Sequence, residues 1–292
     1  MQLYGALDLG TNSIRLLIAH LQNEKLNTVY TGLRTVRLGE GLVRSGLISE
    51  AARERAFQGL GDFIKVIKSY PQLKIGAVAT SAIREASNGP DFLEEIKAKT
   101  GIDVQLISGE EEACLSYNGA IRAVDDVKNP MVIDIGGGST EVIFNNCGKL
   151  EFYSQPVGAV KCTENASTPQ EILELLEDTM NKAKESNVKQ MVGVGGTITT
   201  LAAINQNLKA YDPRLIQGYT LKVEDVSRLL FELAGMSIAE RKKIPGLQPE
   251  RADIIVSGTK ILWVLMNYMD KSSITVSEAD LLHGIIMDLA GH

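Results

Sequence analysis

Two short stretches carry the residue types best suited to chemistry. Residues 8–16 read DLGTNSIRL and residues 134–142 read DIGGGSTEV. Asp8 and Asp134, Gly10 and Gly136, and Ser13 and Ser139 recur at equal offsets, so one turn is built twice. A turn of small residues exposes successive backbone N–H groups, which form a concavity for anions. Glycine tolerates positive φ and lets a ligand approach the backbone closely. Asn12, Ser13, Ser139 and Thr140 bring polar side chains to these turns, and Gly136, Gly137 and Gly138 bring none. A third glycine turn, GVGGT at 193–197, offers Gly195, Gly196 and Thr197 after a strand and before a helix. A lone glycine turn also reads as tight hairpin geometry. The match at three positions is what favours phosphate. The P-loop spacing GxxxxGK[ST] is absent from the sequence. Asp8 and Asp134 close the strands before their turns, and an acid beside phosphates repels them unless it holds Mg2+ or a water.

Other candidates lie between the turns. Glu110, Glu111 and Glu112 open a helix, where acids complement the positive end of its dipole. One of them facing a ligand could instead act as a base. Arg84 carries a guanidinium fork suited to phosphate oxygens, or alternatively bridges Glu85. Ser81 shares its segment. Arg34 and Arg37 are weaker candidates along the path of a long anion.

Positioning these groups requires two similar α/β units. Apolar or alternating runs at 3–9, 13–21 and 27–38 predict three strands, the last two joined by a polar QNEK turn. A helix is expected from Ser49 to Tyr70, a buried strand at 74–81, a helix from Gly89 to Gly101, a strand at 103–108 and a helix from Glu110. The pattern restarts at PMVIDIGG with strands through about residue 158. Thr168 and Glu171 mark a capping box, with Leu173, Leu176, Met180 and Ala183 on one helix face. A strand at 190–197, helices near 223–236, 249–270 and 279–292, and a strand at SSITVSE complete the chain. The expected division is 1–125, joined by the helix 279–292, and 126–278, meeting at a cleft that would hold the ligand.

Composition excludes several classes. The 292 residues are 44% hydrophobic and 23% charged with a net charge of −6, which argues against a nucleic-acid partner. No apolar run reaches the roughly 18 residues of a spanning helix, and no signal peptide is visible. Cys114, Cys147 and Cys162 are unclustered, which fits a reducing cytoplasm. His20, His283 and His292 are too few for a His-based zinc site.

The duplicated units and GVGGT resemble the ribonuclease-H-like domains of the actin/Hsp70/sugar-kinase superfamily, two of which flank a cleft. More narrowly, ALDLGTNSIRLLIA, VRLGEGL, ATSAIREASNG, ISGEEEACLSYNGA, VIDIGGGSTEV, PVGAV, GVGGTITTLAA, IPGLQPERADIIVSG and ITVSEADLLHGII resemble the exopolyphosphatase/guanosine pentaphosphate phosphatase family in its short, two-domain form. The resemblance implies that Glu112 is the general base activating water and that Glu141 positions that water or a metal. It implies Mg2+, with Asp134, the Gly136 carbonyl and Asp8 near it. The substrate implied is inorganic polyphosphate, or alternatively guanosine pentaphosphate, and a homodimer is expected. An actin-fold sugar or acyl kinase and a non-catalytic phosphate-chain sensor are the competing classes. The stretch VSEADLLHGII lacks an Arg that relatives often carry there, a departure bearing on substrate preference.

Overall fold

The computed structural model describes residues 2–22 and 25–291, so Asn23 and Glu24 of the expected QNEK turn, and His292, lie outside the described residues. The chain forms two compact units. One comprises Met1–Gly119 with Leu281–His292, the other Ala120–Asp280. The passage between them falls before the polar stretch 125–130.

In the first unit, β1 (Tyr4–Leu9), β2 (Ser13–Gln22) and β3 (Lys25–Thr35) form an antiparallel meander. The third strand was expected to reach Leu38 but stops at Thr35. Val36 and Arg37 leave the sheet because both their amides donate to the Asn12 carbonyl. Next come α1 (Leu42–Ser45) and α2 (Glu50–Lys68), whose N-cap Ser49 accepts from the Ala52 amide. Then follow β4 (Lys74–Ala79), α3 (Ser81–Glu85), α4 (Gly89–Thr100), β5 (Gln105–Leu106) and α5 (Gly109–Ile121). The sheet order is β3-β2-β1-β4-β5, with β4 parallel to β1. The strand expected at 103–108 shrinks to two exposed residues, because this edge pairs only with the end of β4. Leu7, Ile14, Leu60, Phe63 and Phe92 form the core.

The second unit repeats the plan. A meander of β6 (Pro130–Ile135), β7 (Thr140–Asn146) and β8 (Lys149–Gln155) precedes α6 (Ala159–Glu164) and α7 (Pro169–Glu185). The Thr168/Glu171 capping box forms. The inner face of α7 is Ile172, Leu176, Thr179, Met180 and Ala183, with Leu173 at its flank rather than at its head. After β9 (Gln190–Val194) come α8 (Gly195–Asn205), α9 (Pro213–Ile216), β10 (Thr220–Lys222), α10 (Val223–Gly235) and α11 (Ile238–Arg241). A 3-10 turn (Pro249–Arg251), α12 (Ile255–Tyr268) and β11 (Ser273–Val276) follow. The single helix expected at 249–270 is therefore two pieces. The order β10-β11-β9-β6-β7-β8 places β9 and β11 parallel to β6. The last helix, α13 (Leu281–Ala290), belongs to the first unit, where Gly76 and Gly284 admit it. A Cβ at Gly284 would stand 2.0 Å from the Leu115 carbonyl oxygen.

Candidate active site

The two sequence repeats fold into the same turn. Gly10 donates its amide to the Ser13 carbonyl at 3.0 Å, and Gly136 does the same to Ser139 at 3.0 Å. Each turn is then braced from one side. In the first, the carbonyls of Thr11 and Asn12 accept from Gly39, Val36 and Arg37. In the second, the Gly136 and Gly137 carbonyls accept from Ala159, Val160 and Lys161. The brace is tight, since a Cβ on Gly158 would lie 2.4 Å from the Gly137 carbonyl oxygen. Among the described residues, the amides of Thr11, Asn12, Gly137, Gly138 and Ser139 meet no backbone acceptor. Carbonyls committed to a brace leave amides as what the turn offers a ligand, which suits an anion.

Register explains the asymmetry between the copies. Asp8 is directly opposite Arg15, and Asp134 is directly opposite Glu141. In the first copy Arg15 donates Nε (3.0 Å) and Nη2 (2.8 Å) to Asp8 Oδ2. That arginine occupies Oδ2 of Asp8, the oxygen to which both of its bonds run. In the second copy two carboxylates oppose each other, and like charges in that position are destabilising unless a cation is near. Glu141 is 1% exposed, and its Oε1 accepts from Ser154 Oγ at 2.7 Å. Gly195, at φ +86°, leaves room for Asp134, whose Oδ1 would lie 2.5 Å from a Cβ there. Among the described residues no group of three or more His, Cys, Asp or Glu could hold a metal. Mg2+ does not require one, because it retains waters and takes one or two carboxylates. The opposed Asp134 and Glu141 fit that demand. The Gly136 carbonyl accepts from Ala159 at 2.9 Å and keeps a second lone pair.

The helix-opening acids separate by environment. Ser108 caps α5, and Glu111 returns the bond to the Ser108 amide at 2.7 Å, which holds its pKa below the usual carboxylate range. Glu110 and Glu111 are exposed and Glu112 is buried. Arg84, on α3, donates Nη1 to Glu112 Oε2 at 3.2 Å and to the Ile107 carbonyl at 2.9 Å. Glu85 Oε1 accepts from Ser81 Oγ at 2.8 Å, one helical turn away.

Several expected phosphate donors are committed elsewhere. Ser81 is the first of these. Thr140 Oγ1 donates to the Val157 carbonyl at 2.5 Å and is fully buried. Thr197 packs its side chain against Gly258 of α12. Asn12 Nδ2 donates to Ser13 Oγ at 3.2 Å, so this pair stays together in the first turn. Ser139 is buried in the second.

One residue escaped the sequence reading. The guanidinium of Arg251 lies flat on Gly196, since Cζ, Nη1 and Nη2 would all be 2.2 Å from a Cβ at that position. Arg251 Nε also donates to Gln248 Oε1 at 3.0 Å. The signal was present in IPGLQPERADII, but nothing local ties it to GVGGT. Gly196→Ala should displace the flexible end of Arg251 at a stability cost of about 1–3 kcal/mol. The same substitution should weaken binding of tripolyphosphate about tenfold by calorimetry, the scale of one charge-assisted contact.

A model of the Ppx/GppA phosphatase family matches residues 17–292. The chain belongs to the Ppx/GppA phosphatase family. Its relatives include Exopolyphosphatase 2 of Mycobacterium tuberculosis, 32% identical with 98% of each chain covered. A bifunctional 3-dehydroquinate synthase/phosphatase of Fusobacterium nucleatum is 33% identical over 98% of this chain. The chain spans 46% of that longer protein. Among solved structures, an exopolyphosphatase from Cytophaga hutchinsonii superposes with a TM-score of 0.90 at 28% identity, covering 99% of this chain and 98% of the other. The Aquifex aeolicus Ppx/GppA family member gives 0.81 at 31% identity, covering 99% and 97%. This Ppx/GppA protein therefore has the actin-like fold of two α/β domains and is a phosphatase-family hydrolase. Among its described residues no helix is long and apolar enough to cross a membrane.

Proposed function

We propose that the chain hydrolyses terminal phosphoanhydride bonds, with inorganic polyphosphate as its substrate and Mg2+ as its cofactor. One observation carries this reading: the opposed carboxylates of Asp134 and Glu141 adjoin a turn whose carbonyls are braced away and whose amides remain for an anion. Asp134 and Glu141 would hold the cation, which supplies charge neutralisation on phosphoryl oxygens. The glycine turns and Arg251 bind phosphate, and Arg84 directs Glu112. Glu112 accepts a proton from the attacking water as its oxygen bonds to phosphorus. The bridging P–O bond breaks, and the shortened chain leaves with the bridging oxygen. A carboxylate base suits water as the nucleophile, and relatives named exopolyphosphatases support the substrate class. Guanosine pentaphosphate presents the same terminal bond and is the second reading.

The deciding assay is phosphate release from polyphosphate and from guanosine pentaphosphate in Mg2+ and in excess EDTA. Release in Mg2+ that EDTA lowers at least a hundredfold is expected. No release from either substrate would overturn the reading. Release from the nucleotide alone would replace the first substrate with the second.

A further inference from the structure

Strand register sets a row of three polar side chains across the second meander. Asp134 on β6 is directly opposite Glu141 on β7, and Glu141 is directly opposite Ser154 on β8. Residues opposite one another share a face of the sheet, so the three stand side by side. Ser154 Oγ donates to Glu141 Oε1 at 2.7 Å. The serine is half-buried and the glutamate is buried. The first meander supplies an internal control. Its equivalent row is Asp8, Arg15 and Leu33. The aspartate recurs, but where the middle strand carries arginine the outer strand carries leucine. Where the middle strand carries glutamate the outer strand carries serine. The two positions change together between copies of one turn. Packing in the row does not by itself ask for a hydroxyl, since the first sheet uses leucine in the same place.

The type of donor matters. A glutamate side chain is rich in rotamers, and ordering it for a cation costs conformational freedom. A hydrogen bond from a donor fixed on the neighbouring strand settles the orientation before the cation arrives. Arg15 orients Asp8 in the first row but also offsets its charge. A neutral hydroxyl orients Glu141 and leaves the carboxylate its full negative charge. We infer that Ser154 is a positioning residue for cation binding, holding Glu141 in the orientation in which it and Asp134 take Mg2+. The inference rests on the reading of Asp134 and Glu141 as the carboxylates of the cation. It adds to that reading the group that orients one of them.

The test measures Mg2+ binding by calorimetry on the metal-free protein with no substrate present, so that turnover does not enter the readout. Ser154→Ala should weaken Mg2+ binding about tenfold, the low end of the loss when a group that orients a metal ligand is removed. Ser154→Thr keeps the hydroxyl and should stay within about threefold of wild type. Ser154→Cys keeps nearly the same volume but is a weak donor, so it should lose affinity as alanine does. On a Glu141→Gln background, Ser154→Ala should change Mg2+ affinity by less than about twofold, because the serine acts through that carboxylate. Wild-type Mg2+ affinity in Ser154→Ala overturns the inference. So does a loss in Ser154→Thr equal to that in Ser154→Ala, because packing and not the hydroxyl would then be responsible. A full tenfold loss on the Glu141→Gln background also overturns it, since the serine would then act independently of Glu141. Absence of Mg2+ binding by the wild-type protein is a separate result, which would overturn the cation reading and the inference with it.

Discussion

Glu112→Gln is expected to lower kcat for phosphate release about a thousandfold while leaving tripolyphosphate binding within about threefold of wild type. A positioned general base contributes about 10²–10⁴ in rate, and glutamine keeps the shape of the side chain without its basicity. The scaffold should tolerate the change. Arg84 is also held by the Ile107 carbonyl at 2.9 Å, so it does not depend on Glu112 alone for its position. The pair is only partly buried, with side-chain exposures of 24% and 11%. Its loss should therefore cost less than the roughly 3–5 kcal/mol of breaking a fully buried pair. Thermal unfolding checks the fold, single-turnover phosphate release checks the chemistry, and calorimetry checks binding. Turnover within threefold of wild type would remove Glu112 from the mechanism. Loss of binding together with turnover would make it a ligand contact rather than a base.

The second large effect is expected at Glu141. Glu141→Gln should reduce kcat about a hundredfold and raise the Mg2+ concentration for half-maximal activity about tenfold, as fits loss of one of two carboxylates on a cation. The fold should not suffer. Glutamine Oε1 can still accept from Ser154 Oγ, which lies 2.7 Å from Glu141 Oε1. Removing one of two opposed like charges should raise metal-free stability by roughly 0.2–1 kcal/mol. A cation that binds the folded state alone raises Tm. The Mg2+-induced rise in Tm should accordingly shrink in Glu141→Gln. It should shrink in Asp134→Asn as well, but remain in Asp8→Asn, because Arg15 already takes Asp8 Oδ2. An undiminished Mg2+ shift in both Glu141→Gln and Asp134→Asn would place the cation elsewhere.

The legible and illegible parts of this protein divide by physical range. The helix start at Ser49 and the capping box at Thr168 were readable because each side chain bonds an amide three residues on. The short helices α1, α3, α6, α9 and α11 were not read, since four to six residues give too little periodicity. Thr140 looked like a phosphate donor by position but is turned into the unit to satisfy the Val157 carbonyl, a contact made seventeen residues away. The bond from the Ser81 hydroxyl to Glu85 has a local origin: it forms once α3 brings the two residues one turn apart.

By itself, the sequence determined the doubled strand–turn–strand unit, the glycine turns, the two α/β sets and Glu141, the glutamate that distinguishes the copies. These follow from residue type and short spacing, which set backbone freedom, strand alternation and helix ends. Only the tertiary structure decided which groups work together. Strand register set Arg15 against Asp8 and Glu141 against Asp134. Packing of distant segments brought Arg84 to Glu112 and Arg251 onto Gly196. No spacing rule encodes such pairs, because chain separation stops limiting distance once sheets and helices pack.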